Sequence, residues 1–460
     1  MRIRTLAVLA VVLSACGTPS GNDGGVGGGG GSTGGGTGGG TTGGGTTGGG
    51  TTGGGTTGGG TTGGGTGGGT TGGGGATGGG TTGGGGGVVT PETQALLSIS
   101  AGGDFTCAVL ANKSVKCWGA GGSGRLGNAD NSEQHRPVSV MGITNAQSVT
   151  CGYHHACALL DDTTVKCWGN DDYGQLGNGV TGTNSNVPVV VTGLTGVRSI
   201  HAGVNSTCAL MTGGTVQCWG KGPELGDATL LVHSNVPRAV PNLSNVVQLS
   251  MASSYTSNLT EVHVCGVRMD GSAFCWGSGL EGQLGQSDVS SERYNDQRVP
   301  TPVFGVTDAI QITAGGTHAC ARRTSGLSCW GFGQQVGNGS IDRVTTPASV
   351  TTPAPLNNIE AGGDFTIATS AAGAMFSWGF NGRGQCGDSL MMFPPSSPVI
   401  AAPTAAGVMN ATILAAGDEH ACVYVGSTQV TWCWGDNSYG ELSYDSDDTR
   451  TAVPDFVRWQ

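Results

Sequence analysis

Gly152-Tyr153-His154-His155-Ala156-Cys157-Ala158-Leu159-Leu160-Asp161-Asp162-Thr163-Thr164-Val165-Lys166-Cys167-Trp168-Gly169 decides the fold. Two short β-prone runs, 156–160 and 165–168, flank a polar turn at 161–164, the pattern of a tight β-hairpin. Cys157 and Cys167 fall one on each arm, where facing positions of an antiparallel pair come close enough to bridge.

The unit recurs. The same spacing separates Cys107 from Cys117, Cys208 from Cys218, and Cys265 from Cys275. The step from Cys320 to Cys329 is one residue shorter and that from Cys422 to Cys433 one longer. A Trp-Gly follows each second cysteine. The copy around Trp378 has Ile367 and Ser377 where the two cysteines belong. Joint loss is what two residues bonded to each other produce, so the comparison predicts six hairpin disulfides.

The Trp-Gly positions step by 50, 51, 57, 54, 48 and 56 residues, a period that means solenoid or propeller. Each unit carries an apolar run ending in a small residue and Gly, the cysteine hairpin, a Gly-x-Leu-Gly turn (124–127, 174–177, 282–285) and a Pro-bearing segment. In the sixth unit Cys386 takes the Leu place of that turn. Four short strands in each of seven units predict an all-β, seven-bladed β-propeller over 95–460. The last strand, near 452–459, completes blade seven alone or pairs with the strand near Leu96.

In this order, the small-Gly, His-x-Cys-Ala-Leu, Trp-Gly and Gly-Gln-Leu-Gly elements resemble the repeat of the regulator of chromosome condensation family. The resemblance covers 95–460 and implies the fold. It also offers guanine-nucleotide exchange as one function, though no motif here carries over exchange residues, and folds host unrelated activities.

Residues 1–15 read as a signal segment: Arg2 and Arg4, an apolar run at 5–13 too short to span a bilayer, then Leu-Ser-Ala-Cys ending at Cys16. That ending resembles the bacterial lipoprotein signal, which implies lipidation of Cys16 and attachment to a membrane. Gly17 in place of Asp is the family's pattern for outer-membrane or cell-surface sorting. From 16 to 94 the chain is a linker, and 44 of the 93 glycines lie in 21–87. Such a Gly/Thr stretch cannot bury an apolar face, and as a tether it reaches about 40–50 Å.

Charge narrows the function. The formal net charge is −11, and removing 1–15 takes two arginines and no acid, giving −13. That is the wrong sign for neutralising phosphate, so nucleic acid is not an expected partner. Six disulfides indicate an oxidising, extracytoplasmic compartment.

His155, His263, His318 and His420 share the place two before the first cysteine, where Phe105 and Phe365 also stand. Substitution by Phe points to packing, with His bonded to the next strand, and not to a metal ring. No metal or cofactor is expected. Cys151 and Cys386 lie outside the hairpins and read as buried thiols. Acidic clusters at Asp161 and Asp162, at Asp171 and Asp172, and at Asp445, Asp447 and Asp448 fit solvated turns. The alternative is hydrolase or lyase chemistry on a polysaccharide. Binding is the expected role, carried by loops that depart from the repeat. These are Tyr255, Asn258, Arg293, Tyr294 and Arg298 in blade four, and Met391, Met392 and Phe393 in blade six. The expected molecule is a monomer that binds a protein or glycan.

Overall fold

The computed structural model describes residues 91–459 except 230–232, 255–261, 287–295, 341, 353, 388–407 and 445–448. Seven antiparallel sheets follow one another along the chain. Blade one is Leu96–Ala101, Phe105–Leu110, Val115–Gly119 and Gln134–Ser139, paired in that order from the innermost strand outward. Blades two to five and blade seven repeat it with four strands each, and blade six has three among the described residues. Arg450–Phe456 pairs with Val430–Asp436, so the C-terminal strand completes blade seven by itself.

The hairpin reading holds in register. Cys157 faces Cys167 across the second and third strands, as Cys107 faces Cys117 and Cys208 faces Cys218. Likewise Cys265 faces Cys275, Cys320 faces Cys329, and Cys422 faces Cys433. The residue lost before Cys329 and the one gained before Cys433 are absorbed in the turns, after the paired positions Arg323 with Gly326 and Val425 with Val430. All six pairs are bridged, with Cα–Cα distances of 4.0–4.1 Å, near the closer of the two kinds of facing pair. In blade six Ile367 faces Ser377 at the same register. Cys151 is a buried free thiol whose pKa burial pushes up to about 12. Cys386 is buried as well, in the Leu place of its turn.

Innermost strands surround the axis with edges that a flat sheet would leave unpaired. Side chains satisfy them. Ser100 Oγ accepts the amide of Cys151 at 3.0 Å, Thr150 that of Ala202 at 3.1 Å, and Thr313 that of Ala361 at 2.8 Å. Gln248 and Gln311 each clasp both backbone groups of the next blade's Ile312 and Ile359. The polar residues of these strands therefore hold neighbouring blades together around a small channel of about 90 Å³.

Further out, each hairpin tryptophan is fully buried and reaches into the preceding blade. Trp168 Nε1 donates to Arg125 O, Trp219 to Gln175 O, Trp276 to Glu224 O, Trp330 to Gln283 O and Trp434 to Gln385 O, all at 2.8–2.9 Å. Trp118 closes the ring by donating to Glu441 O of blade seven at 2.8 Å. Each acceptor is the second residue of a Gly-x-Leu-Gly turn, which identifies two further copies, Pro223–Gly226 and Gly440–Ser443, while Gly337 against the Trp378 ring marks a third, Gln334–Gly337. The final glycine is needed twice over. Gly127 has φ +64°, and a Cβ there would lie 2.9 Å from the Trp168 ring.

A second bond locks the same seam. His155 Nε2 lies 2.8 Å from Thr207 Oγ1, which donates to the Gln175 carbonyl that also receives Trp219. His420, Thr106, Glu441 O and Trp118 repeat the arrangement between blades seven and one. Because the threonine hydroxyl is spent on a carbonyl, the histidine must be the donor through Nε2. His318 meets Thr366 at 2.7 Å. At His263 the next blade offers Ala319 instead, and the ring nitrogens find no hydroxyl. These imidazoles are structural, as the alternation with Phe implies.

Two outcomes are expected. Trp168→Phe removes the donor to a buried carbonyl and should cost about 1–3 kcal/mol, whereas Trp378, whose Nε1 has no partner, should tolerate the same change better. Urea midpoints of the two variants decide between a shared and a seam-specific role. The double variant Ile367→Cys/Ser377→Cys should form a seventh bridge, seen by peptide mapping without reduction.

Candidate functional site

Strand direction divides the propeller's loops between two faces. One carries the tight second-to-third-strand turns, such as 111–114 and 161–164. There Lys113 pairs with Asp161 at 2.7 Å, and Asp162 holds its own turn through Thr164. The other carries the turns after the innermost strands and the long loops after Trp-Gly. Asp171 sits in one of those loops and is buried, not solvated. Its carboxylate accepts the Leu176 amide, and burial raises its pKa to about 6.

On this loop-bearing face backbone bonds join the innermost turns at five blade junctions. Gly103 N donates to Gly152 O, Tyr153 N to Gly203 O, Gly316 N to Gly362 O, Gly363 N to Gly417 O and Asp418 N to Gly102 O, at 2.9–3.3 Å. Close approach requires glycine: a Cβ on Gly152 would sit 2.2 Å from Gly203 O.

The residues following these glycines bring carboxylates to the mouth of the channel. They are Asp104 of blade one, Asp364 of blade six, and Asp418 and Glu419 of blade seven. Arg125 pairs with Asp104 at 3.5 Å, and Arg383 with Glu419 at 3.0 Å and Asp436 at 3.6 Å. Asp364 accepts the Thr317 hydroxyl at 3.2 Å, and Asp418 that of Ser254, reaching over from blade four. Burial raises the pKa of all four carboxylates. Asp418 reaches about 8, with Glu419, Asp104 and Asp364 adding repulsion. Within the channel, burial lifts Glu360 to about 7 and holds His201 down to about 4. Among the described residues no group of three or more His, Cys, Asp or Glu is placed to hold a metal ion.

Of the residues chosen from the sequence, Arg298 is exposed in the outer strand Gln297–Pro302. Cys16, Tyr255, Asn258, Arg293, Tyr294, Met391, Met392 and Phe393 lie outside the described residues, as do Asp445, Asp447 and Asp448. The residues that flank the blade-four departures, Ser254 and Val262, then Gln286 and Asp296, belong to loops of the same face as the acidic mouth. The acidic mouth itself was missed. Its signal is an acid within two residues of the small-Gly element in three of seven repeats, visible once the repeats are laid in register.

Tryptophan seams, glycine turns and seven sequential blades match known proteins. The regulator of chromosome condensation (RCC1) repeat models match residues 114–159, 164–210 and 270–322, and 97–125 and 146–175. The chain carries RCC1-type repeats over these stretches. The ultraviolet-B receptor UVR8 of Arabidopsis thaliana is 27% identical over 312 residues, covering 65% of this chain and 68% of the receptor. The human E3 ubiquitin-protein ligase HERC2 is 31% identical over 237 residues, 50% of this chain but 5% of the ligase. Among solved structures, Prp20p of Saccharomyces cerevisiae superposes with a TM-score of 0.64 at 22% identity, over 78% of this chain and 86% of that one. Its description concerns binding to Gsp1p and histones. Human WBSCR16 gives 0.61 at 21% identity, over 72% and 87%. These structures share the fold.

Stability should depend on pH in two opposed ways. His155, His263, His318 and His420 are held near 3 by burial, so they stay neutral in the fold while the unfolded chain protonates below about 6.5. Their contribution is present above that value and lost on acidification. Glu360, Asp418 and Glu441, raised to about 7, 8 and 8, behave oppositely. Their contribution is present at low pH and lost as pH rises through 7–8. Stability should peak near about pH 6, and Asp418→Asn should flatten the alkaline decline. Thermal unfolding between pH 4.5 and 8.5 measures both.

Proposed function

We propose that this chain is a lipid-anchored, extracytoplasmic binding module that holds a protein partner on the loop-bearing face of its propeller. One observation carries the reading: the departures from the repeat and the buried carboxylates converge on a single face. The opposite face is built from short turns closed by their own Asn, Asp and Ser side chains. A rigid ring whose variable loops cluster at one end is suited to recognition, because the scaffold fixes loop positions at little entropic cost.

Partner binding by a propeller of this fold, as Prp20p is described to do with Gsp1p, supports a protein over a glycan as the ligand. The six bridges support an oxidising compartment. The Leu-Ser-Ala-Cys ending at Cys16 and the Gly/Thr stretch behind it support an anchor and a spacer that holds the ring clear of a bilayer.

The test is capture from surface-labelled intact cells, comparing the natural chain with Cys16→Ala and with a loop exchange. Residues 286–296 of blade four would be replaced by 178–184 of blade two. That exchange keeps one needed contact, since Asn184 Oδ1 accepts Asp171 N as Asp296 Oδ1 accepts Gly279 N. The expected result is surface labelling that depends on Cys16, and a partner whose recovery drops about tenfold or more on loop exchange, the effect of losing one interface hot spot. Labelling that never reaches the protein would remove the anchored, extracytoplasmic part of the reading. A partner indifferent to the exchange would move binding off this loop.

A further inference from the structure

On the loop-bearing face, a cavity of about 500 Å³ opens where blades one, two and seven meet. Its floor is Asp104 and Arg125, whose side chains are 27% and 9% exposed. Tyr153 and His154 of blade two form a wall, packed edge to face at 4.5 Å. Glu133 and Tyr439 stand at the rim, the tyrosine 44% exposed.

The charges inside do not balance. Arg125 is committed: its Nη1 meets Asp104 at 3.5 Å and the Tyr153 carbonyl at 3.4 Å, its Nε donates to the Gly122 carbonyl, and its guanidinium lies over the Phe105 ring. His154 adds no charge, because burial and the neighbouring Arg125 hold its pKa down to about 4. Asp104 is not fully compensated. Burial raises its pKa more than Arg125 lowers it, and Asp436 adds repulsion. Two carboxylates thus face one guanidinium already shared with two carbonyls, and the only other partner of Glu133 among the described residues is the exposed His135 imidazole at 3.4 Å.

An anion entering this cavity would meet net negative charge, and a neutral ligand would leave Asp104 as it stands. A cation on a long stem meets every need. Its head pairs with Asp104 and Glu133, while its stem and π-face lie against Tyr153 and Tyr439.

We propose that this cavity receives an arginine or lysine side chain presented by the protein partner. The assignment rests on the reading of this face as the partner-binding face and adds the chemistry of the contact.

The probe is acetyl-Gly-Arg-Gly-amide, titrated calorimetrically into the full chain at low and moderate salt. Its citrulline counterpart keeps the shape and loses the charge. The arginine peptide should bind about tenfold more tightly than the citrulline peptide, with affinity falling as salt rises. Glu133→Gln and Tyr439→Ala change exposed rim residues that the fold does not need. Each should weaken binding about two- to fivefold. Equal affinity for the two peptides, or indifference to both rim variants, would overturn the proposal. Free arginine binding as well as the peptide would overturn presentation by a protein, and an oligosaccharide displacing the peptide would assign the cavity to a glycan. Failure of the peptide to bind, with partner capture still lost on blade-four loop exchange, would sink this cavity's role while leaving the face's role intact.

Discussion

Six of the seven blade seams depend on one backbone carbonyl, that of the second residue in each Gly-x-Leu-Gly turn. A carbonyl buried away from water costs free energy unless it is paired. Here it receives the indole N–H of the next blade, and at two seams the threonine hydroxyl that the histidine bonds. The bonds run the same way around the ring and continue from blade seven to blade one. No strand is exchanged at closure. The tryptophan, the glycine beneath its ring and the turn that offers the carbonyl are therefore one interaction, although its two halves, Arg125 and Trp168, stand 43 positions apart.

Blade six tests that logic within the molecule. It lacks the hairpin bridge, its Trp378 indole has no acceptor, and its turn is the short helix Gly333–Val336 of the preceding blade plus a sixth-blade turn with Cys386 in the Leu place. Compensation is visible: Ile367 fills the bridge position within the core, and Ser377 donates to the Cys386 carbonyl at 2.6 Å. His318 still reaches Thr366. The seam survives on apolar burial, on this bond and on the contacts of Gln311, Thr313 and Gly316 with Ile359, Ala361 and Gly362.

The same ring geometry makes the loop-bearing face chemically unusual. Innermost turns crowd against each other because backbone meets backbone through glycine, so an acid placed after the glycine is pressed toward its counterparts from neighbouring blades. Burial there raises Asp104, Asp364, Asp418 and Glu419 together, and repulsion from neighbouring acids adds to it at Asp104, Asp418 and Glu419. A face so built attracts cations, in keeping with the chain's negative net charge.

Much of this was written in the sequence. The spacing of cysteines, the Trp-Gly steps and the joint absence at Ile367 and Ser377 determined the hairpins, their register and the number of blades, because those features are local or repeat at a fixed period. Local too is the reading of His155 as packing, from its alternation with Phe. The tertiary structure decided what the seams are made of, how the last strand is placed, and that Asp171 is buried while Asp161 is not. It alone brought Asp104, Glu133, Tyr153 and Tyr439 to one cavity. Those residues come from blades one and two at the start of the ring and blade seven at its end, and no periodicity records which neighbours a closed ring will set side by side.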